Sequence, residues 1–204
     1  MSRAGFLPSF RFLLAVSALS VFTMLTGACT AQAPPDDVLD QRPKVGETAP
    51  DFKLTSLDDK QHQLSKITKD NPVVLLVLRG YPGYQCPICS RQVGDYISQA
   101  EAFAARGLKV IMVYPGPSEK LKERAEDFIT GKTLPDNFHF LIDPDYIFTN
   151  AYSLRWDSKK ETAYPATFVI QKASRKIAYT SVSNGYRGRT KAADILKLLD
   201  GLDE

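Results

Sequence analysis

The sequence predicts an α/β fold with a central mixed sheet and helices on both faces. The continuous apolar run at residues 73–78 and the mostly apolar run at 108–114 are typical of strands buried on both faces of a sheet. Each run is followed by a segment with helical spacing, which is the alternation expected of parallel strands joined by helices. Two later strands, at 166–170 and 176–180, are separated by a short polar turn, so they are predicted to pair antiparallel.

The elements between these strands are predicted from turn and capping residues. Segments 51–55 and 61–64 flank a turn-like cluster, which predicts a small hairpin. A helix is predicted over 87–106, and a second helix is predicted to begin at a Ser118 cap and end near Thr130. The remaining predicted elements are a strand at 138–142, a short helix ending near Tyr152 and a last helix over 190–199.

Residues 1–29 are predicted to be a signal peptide, because arginines precede an apolar run that is short for a membrane span. The segment before Cys29 resembles a lipoprotein cleavage site, so Cys29 is the predicted lipidation residue. Two alternatives stay open, which are cleavage after Ala33 and an uncleaved anchor. Residues 30–43 are predicted to be a flexible linker and 44–204 the domain. The domain is therefore expected on the periplasmic or cell-envelope side, anchored to a bacterial membrane.

The charge of the chain argues against nucleic acid as a partner. The 204 residues include 26 Lys and Arg and 23 Asp and Glu, a formal charge of +3. Arg3 and Arg11 lie in the predicted leader, and the rest of the chain keeps 24 basic and 23 acidic residues. So small an excess does not attract a polyanion by itself.

Two of the three cysteines, Cys86 and Cys89, form a C-x-x-C pair at the predicted start of a helix. Unpaired N–H groups and the helix dipole stabilise a thiolate there, so Cys86 is the predicted exposed nucleophile and Cys89 the sheltered second thiol. A loop of two residues restrains little chain entropy, so a reactive disulfide is favoured over a structural one. A zinc site is the weaker alternative, since only His62 and His139 remain as partners.

Four segments in order resemble the AhpC/TSA group of peroxiredoxin-like proteins. They are VGETAPDF at 45–52, RGYPGYQCPICSRQ at 79–92, DPDYIF at 143–148 and YPATFVI at 164–170. The resemblance implies a thioredoxin-like fold whose first cysteine attacks a peroxide or a disulfide. It also implies that Pro165 is a cis proline facing the dithiol, beside a backbone that pairs with an extended substrate.

The chain departs from the peroxiredoxin pattern at two positions. Gly83 stands where the resemblance implies a threonine or serine, and Pro165 stands roughly where it implies an arginine. Arg79, Arg91 and Arg187 are candidate substitutes for that cation, although a solvated surface role is the commoner fate of an arginine. The neighbours of Cys86 on its amino-terminal side, Tyr84 and Gln85, are expected to shape access to it.

These residues predict an exported thiol-disulfide oxidoreductase that cycles between a Cys86/Cys89 dithiol and its disulfide. Protein disulfides are the favoured substrates and hydroperoxides the further ones, which is an antioxidant role. One alternative is a dedicated peroxidase, with Cys86 peroxidatic and Cys89 resolving. Another is a copper metallochaperone similar to the Sco group, with His139 as a third ligand. An external thiol reductant is expected as partner, either thioredoxin-like or a membrane electron relay, and no cofactor or resident metal is expected.

Overall fold

The computed structural model describes Met1 and residues 41–201. Cys29 and most of the predicted leader and linker lie outside the described residues. Within the described part of the chain, no helix is both long and apolar enough to cross a bilayer.

Residues 41–201 contain seven strands and six helices, which are joined by loops. The strands are β1 (Lys53–Ser56), β2 (Gln61–Gln63), β3 (Val73–Val77), β4 (Lys109–Gly116), β5 (Phe138–Pro144), β6 (Ala166–Ile170) and β7 (Ile177–Val182). The helices are α1 (Leu64–Ile67), α2 (Pro87–Ser98), α3 (Ala100–Ala105), α4 (Leu121–Ile129), α5 (Ile147–Ala151) and α6 (Ala192–Asp200).

The strands form one mixed sheet in the order β2-β1-β5-β4-β3-β6-β7. Strands β3, β4 and β5 pair parallel in the middle, and both flanks are antiparallel. Val73 faces Lys109 on one side and Ile170 on the other, so β3 lies between a parallel and an antiparallel neighbour. The predicted central mixed sheet and the predicted hairpin are confirmed.

Alternation along β3 divides the core between the two faces of the sheet. Val74 and Leu76 pack in a cluster with α2, α4 and α6, whereas Val73, Leu75 and Val77 pack with α1 and α5. All five side chains are fully buried, because side chains of a central strand meet helices on both sides. Both Cys86 and Cys89 belong to the first cluster, which fixes the face that carries the chemistry.

Two predicted helices differ in their bounds. The helix predicted over 87–106 is broken at Gln99, whose φ of −109° and ψ of 16° leave the helical region. The buried rings of Tyr96, before the break, and Phe103, after it, stack with centroids 5.6 Å apart.

Ser118 is not the cap of α4, so this prediction is wrong. The helix begins at Leu121 after Lys120, whose φ is 56°. Strand β4 runs through Gly116 to pair with Pro144, which places the turn later than the sequence pattern indicates. The Ser118 N–H instead donates to Asp145 Oδ1 at 2.9 Å and the carbonyl accepts from Leu121 N–H.

The end of the predicted linker packs on the domain. Arg42 and Pro43 are buried. The Arg42 guanidinium donates to the Ser153 carbonyl at 3.2 Å and to Asn184 Oδ1 at 3.1 Å, and it lies over the Tyr164 ring. The packed domain therefore includes Arg42 and Pro43.

Candidate active site

Cys86 and Cys89 lie at the first turn of α2. Cys86 is the N-cap residue, with an extended backbone (φ −77°, ψ 112°), and Pro87 occupies the first helical turn. Proline suits that position because the N–H that it lacks has no partner inside the helix. Residue 86 is thus held where the loop after β3 passes into the helix, as the sequence predicts.

The loop before Cys86 needs glycine at two positions. Gly80 has φ +75°, and a Cβ there would lie 1.9 Å from the Pro115 carbonyl oxygen, so the loop crosses β4 at backbone contact. Gly83 has φ +116° with open space around it. A threonine at 83 would be strained by this backbone, so the hydroxyl that the family pattern implies does not fit this loop.

Cys86 is not the exposed nucleophile that the sequence predicts. Only 3% of Cys86 and 1% of Cys89 are exposed, because both pack in the core cluster under α2. Cys86 nevertheless lines an open cavity of about 540 Å³, together with Gln85, Arg91 and Phe128 among others. An open cavity therefore lies directly beside Cys86.

The two thiols are free and their acidities diverge. A hydrogen bond from the Cys89 thiol is the largest cause that lowers the pKa of Cys86, to about 5, while burial opposes it and the N–H groups of Cys89 and Ile88 assist. That same hydrogen bond, together with burial, raises the pKa of Cys89 well above its usual value. At neutral pH the pair is a Cys86 thiolate beside a Cys89 thiol, which is the state that a nucleophile and its resolving partner require.

Arg189 is the cation beside the dithiol, and sequence reasoning missed it. Its Nη2 lies 4.0 Å from Cys89 Sγ, and its charge also lowers the pKa of Cys86. The Arg189 Nε is buried and has no hydrogen-bond partner among the described residues. Arg189 lies 100 residues after Cys89, in the loop between β7 and α6, and no motif around it marks it.

Alkylation of the reduced protein by iodoacetamide should label Cys86 with a midpoint near pH 5, because the thiolate is the reactive form. Arg189→Met should raise that midpoint by less than about 1 pH unit, since one neighbouring charge among several causes is removed. Arg106→Met, which removes a cation paired with Asp200, is the matched control. A wild-type midpoint near the free-thiol value of about 8.5 would contradict this electrostatic account.

Arg79 is neither solvated nor a side-chain partner of the thiolate, so both readings from the sequence are wrong. The side chain is 2% exposed, and Nε and Nη2 donate to the two Glu161 carboxylate oxygens at 2.6 and 2.8 Å. Burial alone would lower the pKa of Arg79, but the hydrogen bonds with Glu161 and Tyr84 outweigh it and raise the pKa. Only the Arg79 backbone N–H reaches the dithiol, 3.5 Å from Cys89 Sγ.

Tyr84 and Gln85 hold the loop by their side chains. Arg79 Nη1 donates to the Tyr84 hydroxyl at 2.5 Å, and the Tyr84 side chain remains half exposed. Gln85 donates to the Arg124 carbonyl at 2.7 Å and accepts from the Tyr114 hydroxyl at 2.8 Å. Gln85 also lines the cavity at Cys86, which fits the expected role in shaping access.

Arg91 and Arg187 are exposed, as a surface arginine ordinarily is. Arg91 lines the cavity at Cys86 and also a second cavity beside α2, and Arg187 lines that second cavity. Among the described residues, no hydrogen bond joins either guanidinium to a cysteine. Arg189 therefore takes the position that was predicted for these candidates.

Pro165 is not a cis proline, because none of the described peptide bonds is cis. Its carbonyl accepts the Ser183 N–H at 2.8 Å, which extends the pairing of β6 with β7 by one residue. The N–H of the neighbouring Tyr164 donates to the Leu154 carbonyl at 2.8 Å, so the backbone beside Pro165 is already paired, and Pro165 itself is buried. The substrate-facing role predicted for Pro165 is therefore not supported by the geometry.

His139 lies away from the dithiol. Phe138 and Phe140 pack in the cluster that contains the cysteines, so strand alternation directs His139 to the opposite face of the sheet. Its ring lies 4.6 Å from that of His62. His139 therefore cannot act as the third copper ligand that the metallochaperone alternative requires. Within residues 41–201, no group of three His, Cys, Asp or Glu residues is placed to hold a metal ion.

Comparison with known proteins agrees with this fold. The AhpC/TSA family model matches residues 45–180. Similar solved structures include Mycobacterium tuberculosis AhpC, with 18% identity and a TM-score of 0.63 over 80% of this chain and 99% of that one. Xylella fastidiosa PrxQ, as a cysteine-to-serine mutant, gives 16% identity and a TM-score of 0.65 over 80% and 99%. Peroxidoxin BcpB from M. tuberculosis gives 23% and 0.59 over 79% and 97%.

A comparison with curated protein sequences finds no significant match. The family match covers well over half of the chain and includes both cysteines. The solved structures show the same thioredoxin-like fold along nearly their whole length. The chain therefore belongs to the AhpC/TSA family and is a thiol-dependent oxidoreductase with a thioredoxin-like fold.

Proposed function

We propose that this protein is an exported thiol-disulfide oxidoreductase that reduces protein disulfides through Cys86 and Cys89. The observation that carries the proposal is the pairing of a low-pKa Cys86 with a protonated Cys89 at the start of α2. The Cys86 thiolate attacks one substrate sulfur, forms a mixed disulfide and releases the other sulfur as a thiolate. Cys89 then loses its proton and attacks Cys86, which releases the second substrate sulfur and leaves a Cys86–Cys89 disulfide.

A dedicated peroxidase is the second candidate, and Arg189 is the observation that favours it. A cation near the dithiol can stabilise the oxygen that leaves when Cys86 attacks a hydroperoxide. That attack yields a Cys86 sulfenic acid and an alcohol or water, and Cys89 then displaces water to close the disulfide. Against this candidate, Gly83 offers no hydroxyl to orient the peroxide.

The location and the electron donor are also proposals. The leader before Cys29 supports export and lipid anchoring on the cell-envelope side. In such an oxidising compartment the Cys86–Cys89 disulfide accumulates unless a donor restores the dithiol. We expect an external thiol reductant, either a thioredoxin-like protein or a membrane electron relay, to supply two electrons per cycle.

Stopped-flow oxidation of the reduced protein separates the two candidates. A model protein disulfide should oxidise it at least about tenfold faster than hydrogen peroxide at equal concentration, since the loss of one transition-state contact typically costs that much or more. The reverse order would select the peroxidase. Free cysteine is the control, and a protein that reacts with neither oxidant faster than free cysteine would contradict both candidates.

A further inference from the structure

A cationic groove lies beside the dithiol. Its volume is about 440 Å³, within the usual range of ligand sites, and it runs along α2 and the loop between β7 and α6. Four cations line it, which are Arg91, Arg187, Arg189 and Lys191. Asp95 is the one carboxylate among the lining residues.

The positive charge of the groove is not balanced locally. Asp95, whose Oδ2 accepts the Ala192 N–H at 2.8 Å, is one carboxylate against four cations. Within residues 41–201, none of the four cations forms an ion pair with a carboxylate. The chain outside the leader has nearly equal numbers of acidic and basic residues, so this groove concentrates charge that the surface as a whole does not carry.

Two arginines connect the groove with the dithiol. Arg189 lies 4.0 Å from Cys89 Sγ. Arg91 lines both this groove and the cavity at Cys86, where Lys132 and Asp127 add one cation and one carboxylate. A chain that places its disulfide at Cys86 therefore has its flanking residues beside these cations.

We propose that the groove binds the carboxylates of an acidic protein segment that carries the substrate disulfide. The inference rests on the proposed function, because it names the substrate class of that same dithiol. Carboxylates on the segment replace the missing counter-charges, and they also steer the encounter towards Cys86. The chemical step is unchanged, since the Cys86 thiolate gains one substrate sulfur and releases the other, and the protein loses two electrons to the substrate.

Matched peptide disulfides test the proposal. Three short cysteine peptides, each a disulfide-linked dimer, carry glutamate, glutamine or lysine on both sides of the cysteine. The rate at which each oxidises the reduced protein is measured at low ionic strength. Each rate is divided by that of the glutamine peptide for the same protein, so that differences in folding or thiol reactivity cancel.

The variant is Arg187→Gln/Lys191→Gln, which removes two exposed cations of the groove. For this variant, the rate with the glutamate peptide divided by the rate with the glutamine peptide should be about three- to tenfold lower than for wild type, as expected for two solvent-exposed charges. The corresponding ratio for the lysine peptide should be higher than for wild type. Added salt should shrink both effects. Lys66→Gln/Lys69→Gln is the control, because it removes the same charge at and just after α1, which packs on the opposite face of the sheet.

The outcomes separate the two proposals. If wild type reduces the glutamine peptide faster than free cysteine does, but all three proteins share the same ratios, the groove proposal is overturned and the proposed function stands. If wild type reduces no peptide faster than free cysteine, the proposed function fails, and the groove proposal fails with it. If the glutamate-to-glutamine rate ratio falls equally in the control variant, the effect comes from net charge alone, and the groove proposal is overturned.

Discussion

Cys86→Ser is expected to abolish oxidation of the protein by disulfides and by hydrogen peroxide, with a rate loss of roughly a thousandfold or more. A serine hydroxyl in the same place is not ionised at neutral pH, whereas the Cys86 thiol is, with its pKa lowered to about 5. Cys89→Ser is expected to react once and stop at a mixed disulfide between Cys86 and the substrate, because no second thiol remains to release it. Intact-mass measurement after mixing with a model disulfide distinguishes the three proteins.

The pattern across the two variants is more informative than either loss alone. Wild type should lose two hydrogens and gain no adduct, Cys86→Ser should show no change, and Cys89→Ser should gain one substrate chain. Thermal unfolding of each variant is the control for folding, since both side chains pack in the core. Preserved turnover in Cys86→Ser, or a stable adduct on Cys89 in that variant, would reverse the roles assigned here.

Glu161→Ala is expected to lower the free energy of unfolding by about 3–5 kcal/mol, because it leaves the Arg79 guanidinium buried without its carboxylate. The two side chains are only 2% and 6% exposed and bond through both carboxylate oxygens. Tyr186 also loses its partner, since its hydroxyl donates to Glu161 at 2.6 Å. Urea unfolding followed by circular dichroism measures the change.

Asp200→Ala is the matched control, because it breaks the ion pair with Arg106 on the surface. Asp200 is 61% exposed, and such pairs contribute about 0–1 kcal/mol. Arg79→Met/Glu161→Leu, which removes both charges, is expected to cost less than Glu161→Ala. Equal losses in Glu161→Ala and Asp200→Ala would show that the buried Arg79–Glu161 pair stabilises the fold no more than the exposed pair does.

The fold was predictable because local patterns dominate its elements. Strand β3 is five consecutive buried apolar residues, and that run is visible in the sequence. The ends of the strands and helices were less predictable, because they depend on pairing with residues that are distant in the sequence. Gly116 stays in β4 because it pairs with Pro144, although a Pro-Gly-Pro segment by itself predicts a break at residue 115.

The candidate site was predictable only where it is local. Cys86 and Cys89 are three residues apart at a helix start, so spacing alone identifies them. Arg189 reaches the dithiol from 100 residues away and Glu161 reaches Arg79 from 82 residues away. The sequence predicts either a thiolate-stabilising or a solvated arginine at position 79, because the distant carboxylate that makes burial of a guanidinium tolerable leaves no local signal.

Holding Cys86 as a thiolate has a consequence for the direction of electron flow. Ionisation stabilises the dithiol form relative to the disulfide at any pH above the lowered pKa of Cys86. One pKa unit is worth about 1.4 kcal/mol, or about 30 mV for a two-electron couple. The midpoint potential of the couple is therefore expected to lie tens of millivolts above that of an unperturbed dithiol. The dithiol therefore readily reduces only strong oxidants, such as strained disulfides and hydroperoxides. A weak reductant is enough to restore the dithiol from the disulfide.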